Sequence, residues 1–358
     1  MIRVLMVEDS HLMARLLGSI IESQADFEIV GRAEDGQAAI DLAQSLRPDV
    51  ITMDVNMPIL DGMEATRAIM STAPVPIIIV SSLVNGNQMM VTFRALEEGA
   101  VAVLEKPDNQ DSVRFEAYSR KLTDTVRSMA GLKLVKRKTA PTAPTTRVAA
   151  APLNVPMSGN RTSYEVVAIG ASTGGPQIVN KILSSLPADF SVPLLVVNHI
   201  AAGFTAGMSK WLERNCKLEV VIPNHGDRLV PGRVYIAPED RHLMLARRRG
   251  ELVAAVNNSE PVNQFRPSVT PLMQSVATTS GEKSIGIILS GMGTDGAAGL
   301  LDVKKAGGQT FVQSEQSCVV FGMPGEAIRI GAANQTLEPD RIASRLMQLV
   351  SSGVRGRN

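Results

Sequence analysis

A short apolar run, Val166-Val-Ala-Ile169, breaks abruptly into Gly170-Ala-Ser172-Thr-Gly174-Gly-Pro176. The run reads as a buried strand, and Pro176 fits the first turn of a helix, where the N–H it lacks would have no partner. Strands that pass into helices in this way recur along the chain. They predict an α/β protein: an N-terminal doubly wound, five-stranded parallel domain and a C-terminal α/β domain with a mainly parallel sheet. Gly170-Ala-Ser172-Thr-Gly174 also matches the G-x-S-x-G pattern of a nucleophile elbow, whose glycines let a sharp turn project a serine hydroxyl beside backbone N–H groups. A phosphate-cradling loop and an ordinary strand–helix turn are the alternatives. Ser172 stands where a dinucleotide fingerprint needs its second glycine, and Pro176 where a Walker A loop needs lysine, which disfavours both phosphate readings.

With 358 residues the chain can build two or three domains, each with its own core. Net charge is +1, so nothing marks a nucleic-acid footprint. Two cysteines, Cys216 and Cys318, lie far apart without a C-x-x-C pair, which suits a reducing compartment and no cysteine metal site. The N-terminal Met-Ile-Arg-Val-Leu-Met-Val is too short for a signal peptide and meets Glu8 and Asp9 at once; no apolar run is long enough to insert in a membrane. A soluble, cytoplasmic protein is expected.

In the first domain, strands are expected at 2–7, 27–33, 48–54, 75–82 and 100–104, with helical patterns between. Such a sheet holds ligands outside the carboxyl ends of its strands. Glu8, Asp9, Asp54, Ser81 and Lys106 all fall at those ends. Three carboxylates gathered together repel and raise one another's pKa, and a hard cation such as Mg²⁺ resolves that repulsion. A lysine adds a mobile positive charge suited to an incoming phosphoryl group. Taken singly, Asp9 or Ser10 is explained as a cap of the first helix.

Asp54-Val-Asn-Met-Pro58, Asp61-Gly62 and Lys106-Pro107 make this segment resemble the receiver domain of bacterial response regulators. The resemblance implies that Asp54 is phosphorylated, that Glu8 and Asp9 bind Mg²⁺ with it, and that Ser81 and Lys106 sense the phosphoryl group. Receivers often carry an aromatic switch residue three positions before the lysine; here it is Val103. The expected organisation is a receiver over 1–125, a helical extension and flexible Pro/Thr/Ala-rich linker over 126–160, and a catalytic domain over 161–354.

A serine hydrolase in the second domain needs a base and a group to orient it. Of the four histidines, His11 belongs to the first domain, while His225 and His242 lie in stretches that read as turns or loops. His199 ends the expected strand 192–198 and is the favoured base, with His242 the runner-up; a hydrogen-bonded structural histidine is the plainer reading. Ser284-Ile-Gly-Ile-Ile-Leu-Ser-Gly-Met-Gly-Thr-Asp295-Gly repeats the strand–turn–helix pattern and delivers a carboxylate. Asp295 could equally cap the following helix.

These segments, with His199-Ile-Ala-Ala-Gly-Phe204, Pro231-Gly-Arg-Val-Tyr-Ile-Ala-Pro238 and Arg266-Pro-Ser268, resemble the CheB family of chemotaxis protein-glutamate methylesterases over essentially the whole chain. The resemblance implies Ser172 as nucleophile, His199 as general base and acid, Asp295 as orienting carboxylate, and backbone N–H groups of Thr173 and Met292 as the oxyanion hole. It implies methyl-accepting chemotaxis receptors as substrate, a chemotaxis histidine kinase as phosphodonor, a glutaminase activity beside the esterase, no cofactor for the esterase itself, and an unphosphorylated receiver that covers the active site. Asn198, Ile200 and Thr270 depart from the family's usual Gln, Met and Asp. The same enzyme in a non-motility pathway, or a non-catalytic response regulator, are the alternatives.

Overall fold

The computed structural model describes residues 1–81, 93–107, 112–132, 163–200 and 203–351, with backbone alone at 112–114 and 351. Residues 133–160 of the expected linker, and 352–354, lie outside the described residues.

The first sheet contains β1 (Ile2–Val7), β2 (Phe27–Ala33), β3 (Val50–Met53), β4 (Ile77–Ser81) and β5 (Ala102–Glu105). The order is β2-β1-β3-β4-β5 and every pairing is parallel. Strands β3 and β4 are buried along their whole length, as a sheet covered on both faces requires. Around it lie α1 (His11–Glu22), α2 (Gly36–Leu46), α3 (Gly62–Thr72) and α4 (Ser112–Ala130), the last crossing the expected boundary at residue 125. Ser10, Asp35 and Asp61 each accept a backbone N–H three residues on, so the first three helices start where short polar side chains satisfy an orphaned donor. Strand order reverses between β1 and β3, which opens a crevice at their carboxyl ends.

The second sheet has seven parallel strands in the order β14-β13-β12-β6-β7-β9-β8. They are β6 (Val166–Ala171), β7 (Leu194–Asn198), β8 (Glu219–Val221), β9 (Arg233–Ile236), β12 (Ser284–Ile288), β13 (Gln309–Gln313) and β14 (Gln335–Leu337). A separate antiparallel ribbon joins β10 (His242–Arg248) to β11 (Glu251–Asn257) through Arg249 and Gly250, both at positive φ, as a two-residue hairpin turn demands. The loop reading of His242 is thereby corrected: it opens β10, fully buried, because residues 242–248 pair residue for residue with 251–257. The helices are α5 (Gly175–Ser184), α6 (Thr205–Asn215), α7 (Val269–Ser280), α8 (Ala297–Lys305), α9 (Met323–Arg329) and α10 (Pro339–Ser351). Here the order reverses around β6, whose neighbours are β12 and β7.

The two domains touch beside α5 and α6. Phe93 stacks on Trp211 with centroids 5.4 Å apart and meets Phe204 edge-on at 6.2 Å. Trp211 donates its indole N–H to Glu97 at 2.6 Å, and Gln177 on α5 donates its amide to the carbonyls of Leu96 and Ala100. Buried aromatic contacts with a satisfied indole contribute area and geometry together. Among the described residues, no helix is long and apolar enough to cross a membrane.

Candidate active site

Three adjacent strands, β12, β6 and β7, deliver one side chain each to the rim where the strand order reverses. Ser172 follows β6, His199 follows β7, and Asp295 follows β12 after a glycine-rich turn. The edges are laced together: Ser172 N–H donates to Ser290 O at 3.0 Å, and His199 N–H to Ala171 O at 2.9 Å. Gly291 is required by this closeness, since a Cβ there would lie 2.7 Å from the Cβ of Ser172. Gly174, at φ 75, makes the turn into α5.

His199 Nε2 lies 2.9 Å from Asp295 Oδ2. Because an ionised carboxylate only accepts, Nε2 carries the proton and Nδ1 keeps its lone pair in the neutral ring. Nδ1 is buried and has no hydrogen-bond partner, so it is not bonded to the Ser172 hydroxyl in this arrangement. Both residues line one cavity of about 460 Å³, together with Thr173 and Met292 from the second domain and Val103 and Lys121 from the first. Catalytic hydrogen bonds of this kind are often long before substrate binds. Met292 also receives a contact from the first domain: Ser128 Oγ on α4 lies 3.0 Å from its sulfur.

Asp295 is fully buried. Burial pushes its carboxyl up, but the His199 hydrogen bond, the charge His199 gains when protonated, and the hydroxyls of Ser268 and Thr270 outweigh burial and hold it well below the usual carboxylate range. Ser268 and Thr270 each donate at 2.7 Å, Val269 N–H donates at 2.7 Å, and Asn263 Nδ2 at 3.1 Å. Asp295 therefore does not cap its own helix: α8 is preceded by Gly296 with no side-chain cap, and the carboxylate sits on the N-terminus of α7 instead, where the helix dipole favours negative charge. A depressed folded pKa contributes stability that is present above the unfolded value and lost as pH falls through the folded one. The stability gap between wild type and Asp295→Ala should accordingly narrow as pH falls from about 5 to about 3, where the unfolded chain's carboxyl takes up its proton. Denaturant unfolding of both proteins across that range checks this.

The runner-up base, His242, is used elsewhere: Nδ1 accepts from Ser268 N–H at 3.2 Å and Nε2 lies 3.1 Å from Glu260 O, so the ring braces the start of α7. Sequence reasoning assigned no role to Asn263, Ser268 and Thr270 around the carboxylate. The Arg266-Pro-Ser268 motif is the signal that marks Ser268, because it places an N-cap serine directly before α7.

A family model described as CheB methylesterase matches residues 167–346, and one described as response regulator receiver domain matches residues 4–116. A protein-glutamate methylesterase/protein-glutamine glutaminase of Myxococcus xanthus (strain DK1622) is 45% identical over 348 residues, spanning 96% of each chain. The chain belongs to the CheB methylesterase family. A second relative of the same name, from Geobacter metallireducens, is 40% identical over 98% of this chain and 99% of its own. The crystal structure of the Thermotoga maritima CheB methylesterase catalytic domain, 38% identical, superposes with a TM-score of 0.51 over 52% of this chain and all of its own. The CheB fold thus accounts for the rim that holds Ser172, His199 and Asp295.

The receiver of this CheB chain gathers its own polar cluster at the carboxyl ends of β1, β3, β4 and β5. Ligand oxygens of Glu8, Asp9 and Asp54 lie within 4.8 Å of one another. Glu8 and Asp54 are buried, Asp9 is exposed, and Lys106 Nζ stands 2.7 Å from both buried carboxylates. Burial pushes Glu8 and Asp54 up despite that lysine. Burial alone would lower Lys106, yet its bonds to Asp54 and Glu8 raise it above its ordinary value. Ser81 ends β4, buried, and its carbonyl accepts the Lys106 N–H at 3.0 Å. Oxygen donors at this spacing fit a hard divalent cation, and such a charge would favour the ionised carboxylates.

Proposed function

We propose that the protein hydrolyses glutamate γ-methyl esters on chemotaxis receptors, with Ser172 as nucleophile, His199 as base and Asp295 as the group that orients the base. The observation that carries the reading is the His199–Asp295 pair, with Nδ1 unpartnered in the cavity that Ser172 lines. His199 Nδ1 takes the serine proton as Oγ attacks the ester carbonyl, and backbone N–H groups of Thr173 and Met292 receive the oxyanion. Each such donor typically contributes about 10²- to 10³-fold. Protonated His199 then gives its proton to the departing methoxide. The released methanol leaves an acyl-serine, which water, deprotonated by the same nitrogen, hydrolyses to the receptor carboxylate. Replacing methoxide by an amide leaving group gives the glutaminase reaction.

Control belongs to the receiver, whose inhibitory segment on this reading extends to Ala130, with the catalytic domain beginning near residue 161. Asp54 accepts the phosphoryl group from a histidine kinase; Glu8, Asp9 and Asp54 would hold the Mg²⁺, whose charge would offset that of the transferred group. Lys106, freed from its two carboxylates, then pairs with the phosphoryl oxygens, and Ser81 donates to them. Because Val103 and Lys121 share the cavity with Ser172, a shift of β5 and α4 alters access to the serine. Methanol release from methylated receptors should rise severalfold when acetyl phosphate and Mg²⁺ are added to the full chain, and a chain starting at residue 163 should match or exceed that rate without donor. No gain in either case contradicts receiver inhibition.

A further inference from the structure

The segment that brings Asn263 to Asp295 also brings an aromatic ring to His199. Val262 and Phe265 close a two-residue turn by exchanging both backbone hydrogen bonds, at 3.1 and 3.0 Å. Its central residues, Asn263 and Gln264, both adopt left-handed backbone, φ 53 and 69. Asparagine tolerates that region; glutamine gains nothing from it. Such residues persist where their surroundings over-determine them, and they cluster at functional sites. The turn places the Phe265 ring flat on the His199 imidazole, with centroids 3.8 Å apart and planes 5° apart.

Asp295 holds His199 by one edge, through Nε2. With one hydrogen bond holding Nε2, rotation about the Cβ–Cγ bond can still tilt the imidazole plane, and a tilt of that kind carries Nδ1 out of reach of Ser172. A parallel ring at van der Waals distance removes that freedom and keeps water off one face. The face also attracts the cation formed when the imidazole is protonated. We propose that Phe265 is a positioning residue: it fixes the plane of His199, so that it governs the rate of proton transfer and not the affinity for substrate. This rests on the reading of Ser172 and His199 as nucleophile and base.

The test uses the full chain treated with acetyl phosphate and Mg²⁺, and compares wild type with Phe265→Leu, Phe265→Met and Phe265→Tyr. Three quantities are read: kcat and KM for methanol release, and the rate at which a fluorophosphonate modifies Ser172, which needs the serine and its base but none of the receptor's contacts. Leucine and methionine should each lower kcat and the modification rate together by about 10- to 100-fold, with KM held within about twofold. Tyrosine, which keeps the ring, should restore both to within about threefold of wild type. Should the leucine variant fail to fold, the methionine variant carries the comparison. A raised KM with an unchanged modification rate would make Phe265 a substrate contact and overturn the proposal, as would full activity with leucine and methionine. Ser172→Ala runs alongside: modification that persists in it refutes the nucleophile assignment itself, whatever Phe265 does.

Discussion

Replacing Ser172 with alanine is expected to lower turnover by on the order of 10⁶-fold, because the members of such a unit act together and the acyl intermediate has no other place to form. The fold tolerates the change. Ser172 is held in place by its backbone N–H to Ser290 O, which alanine retains, and the residue lines a cavity that already exists. Receptor binding, measured by co-sedimentation with receptor-bearing membranes, should therefore be unaffected while methanol release falls to background. A variant that binds and still releases methanol at the wild-type rate removes Ser172 from the chemistry.

The second large effect is expected at Asp295→Asn, about 10⁴-fold in kcat, with a loss of stability as well. The carboxylate accepts from His199, Ser268, Thr270, Val269 and Asn263 within a fully buried site. An asparagine has one accepting oxygen and an NH₂ that must face some of these donors. If the oxygen stays with the hydroxyls of Ser268 and Thr270, the NH₂ confronts both the Val269 N–H and His199 and forces the other tautomer, with the proton on the nitrogen that must act as base. If it faces His199, the donors of Ser268 and Thr270 are stranded, at about 1–3 kcal/mol each. Either way kcat falls while KM changes little, and urea unfolding separates the folding cost from the catalytic one. Activity within tenfold of wild type would mean that His199 is oriented by something else.

Much of this was legible in the sequence because chemistry in a parallel sheet is concentrated at strand ends. Apolar runs stopping at Ser172, His199 and the Gly291–Asp295 turn name the rim, and β12, β6 and β7 proved to be neighbours. Runs stopping at Glu8, Asp54, Ser81 and Lys106 do the same for the receiver. Residues that act from turns were not legible. An Asn-Gly pair would have signalled the tight turn at 262–265, but Asn263-Gln264 adopts it against local preference, so Asn263 and Phe265 carried no mark. His242 resembled a loop residue because Pro238-Glu-Asp-Arg241 precedes it, and only the pairing of β10 with β11 shows it buried. The edge strand β14 is three residues long and half-exposed, too short for a periodicity to show. The capping of α7 by Asp295 spans distant segments, which no local pattern encodes.

What matters most is that this site cleaves a glutamyl methyl ester at its acyl–oxygen bond. Its most direct test is mass spectrometry of receptor peptides after treatment with the phosphoryl-activated enzyme in water enriched in a heavy oxygen isotope. Methylated glutamates should lose their methyl group and each should gain one heavy oxygen in its carboxylate, with none in the methanol. Peptides that stay methylated, or heavy oxygen found in the methanol, would contradict it.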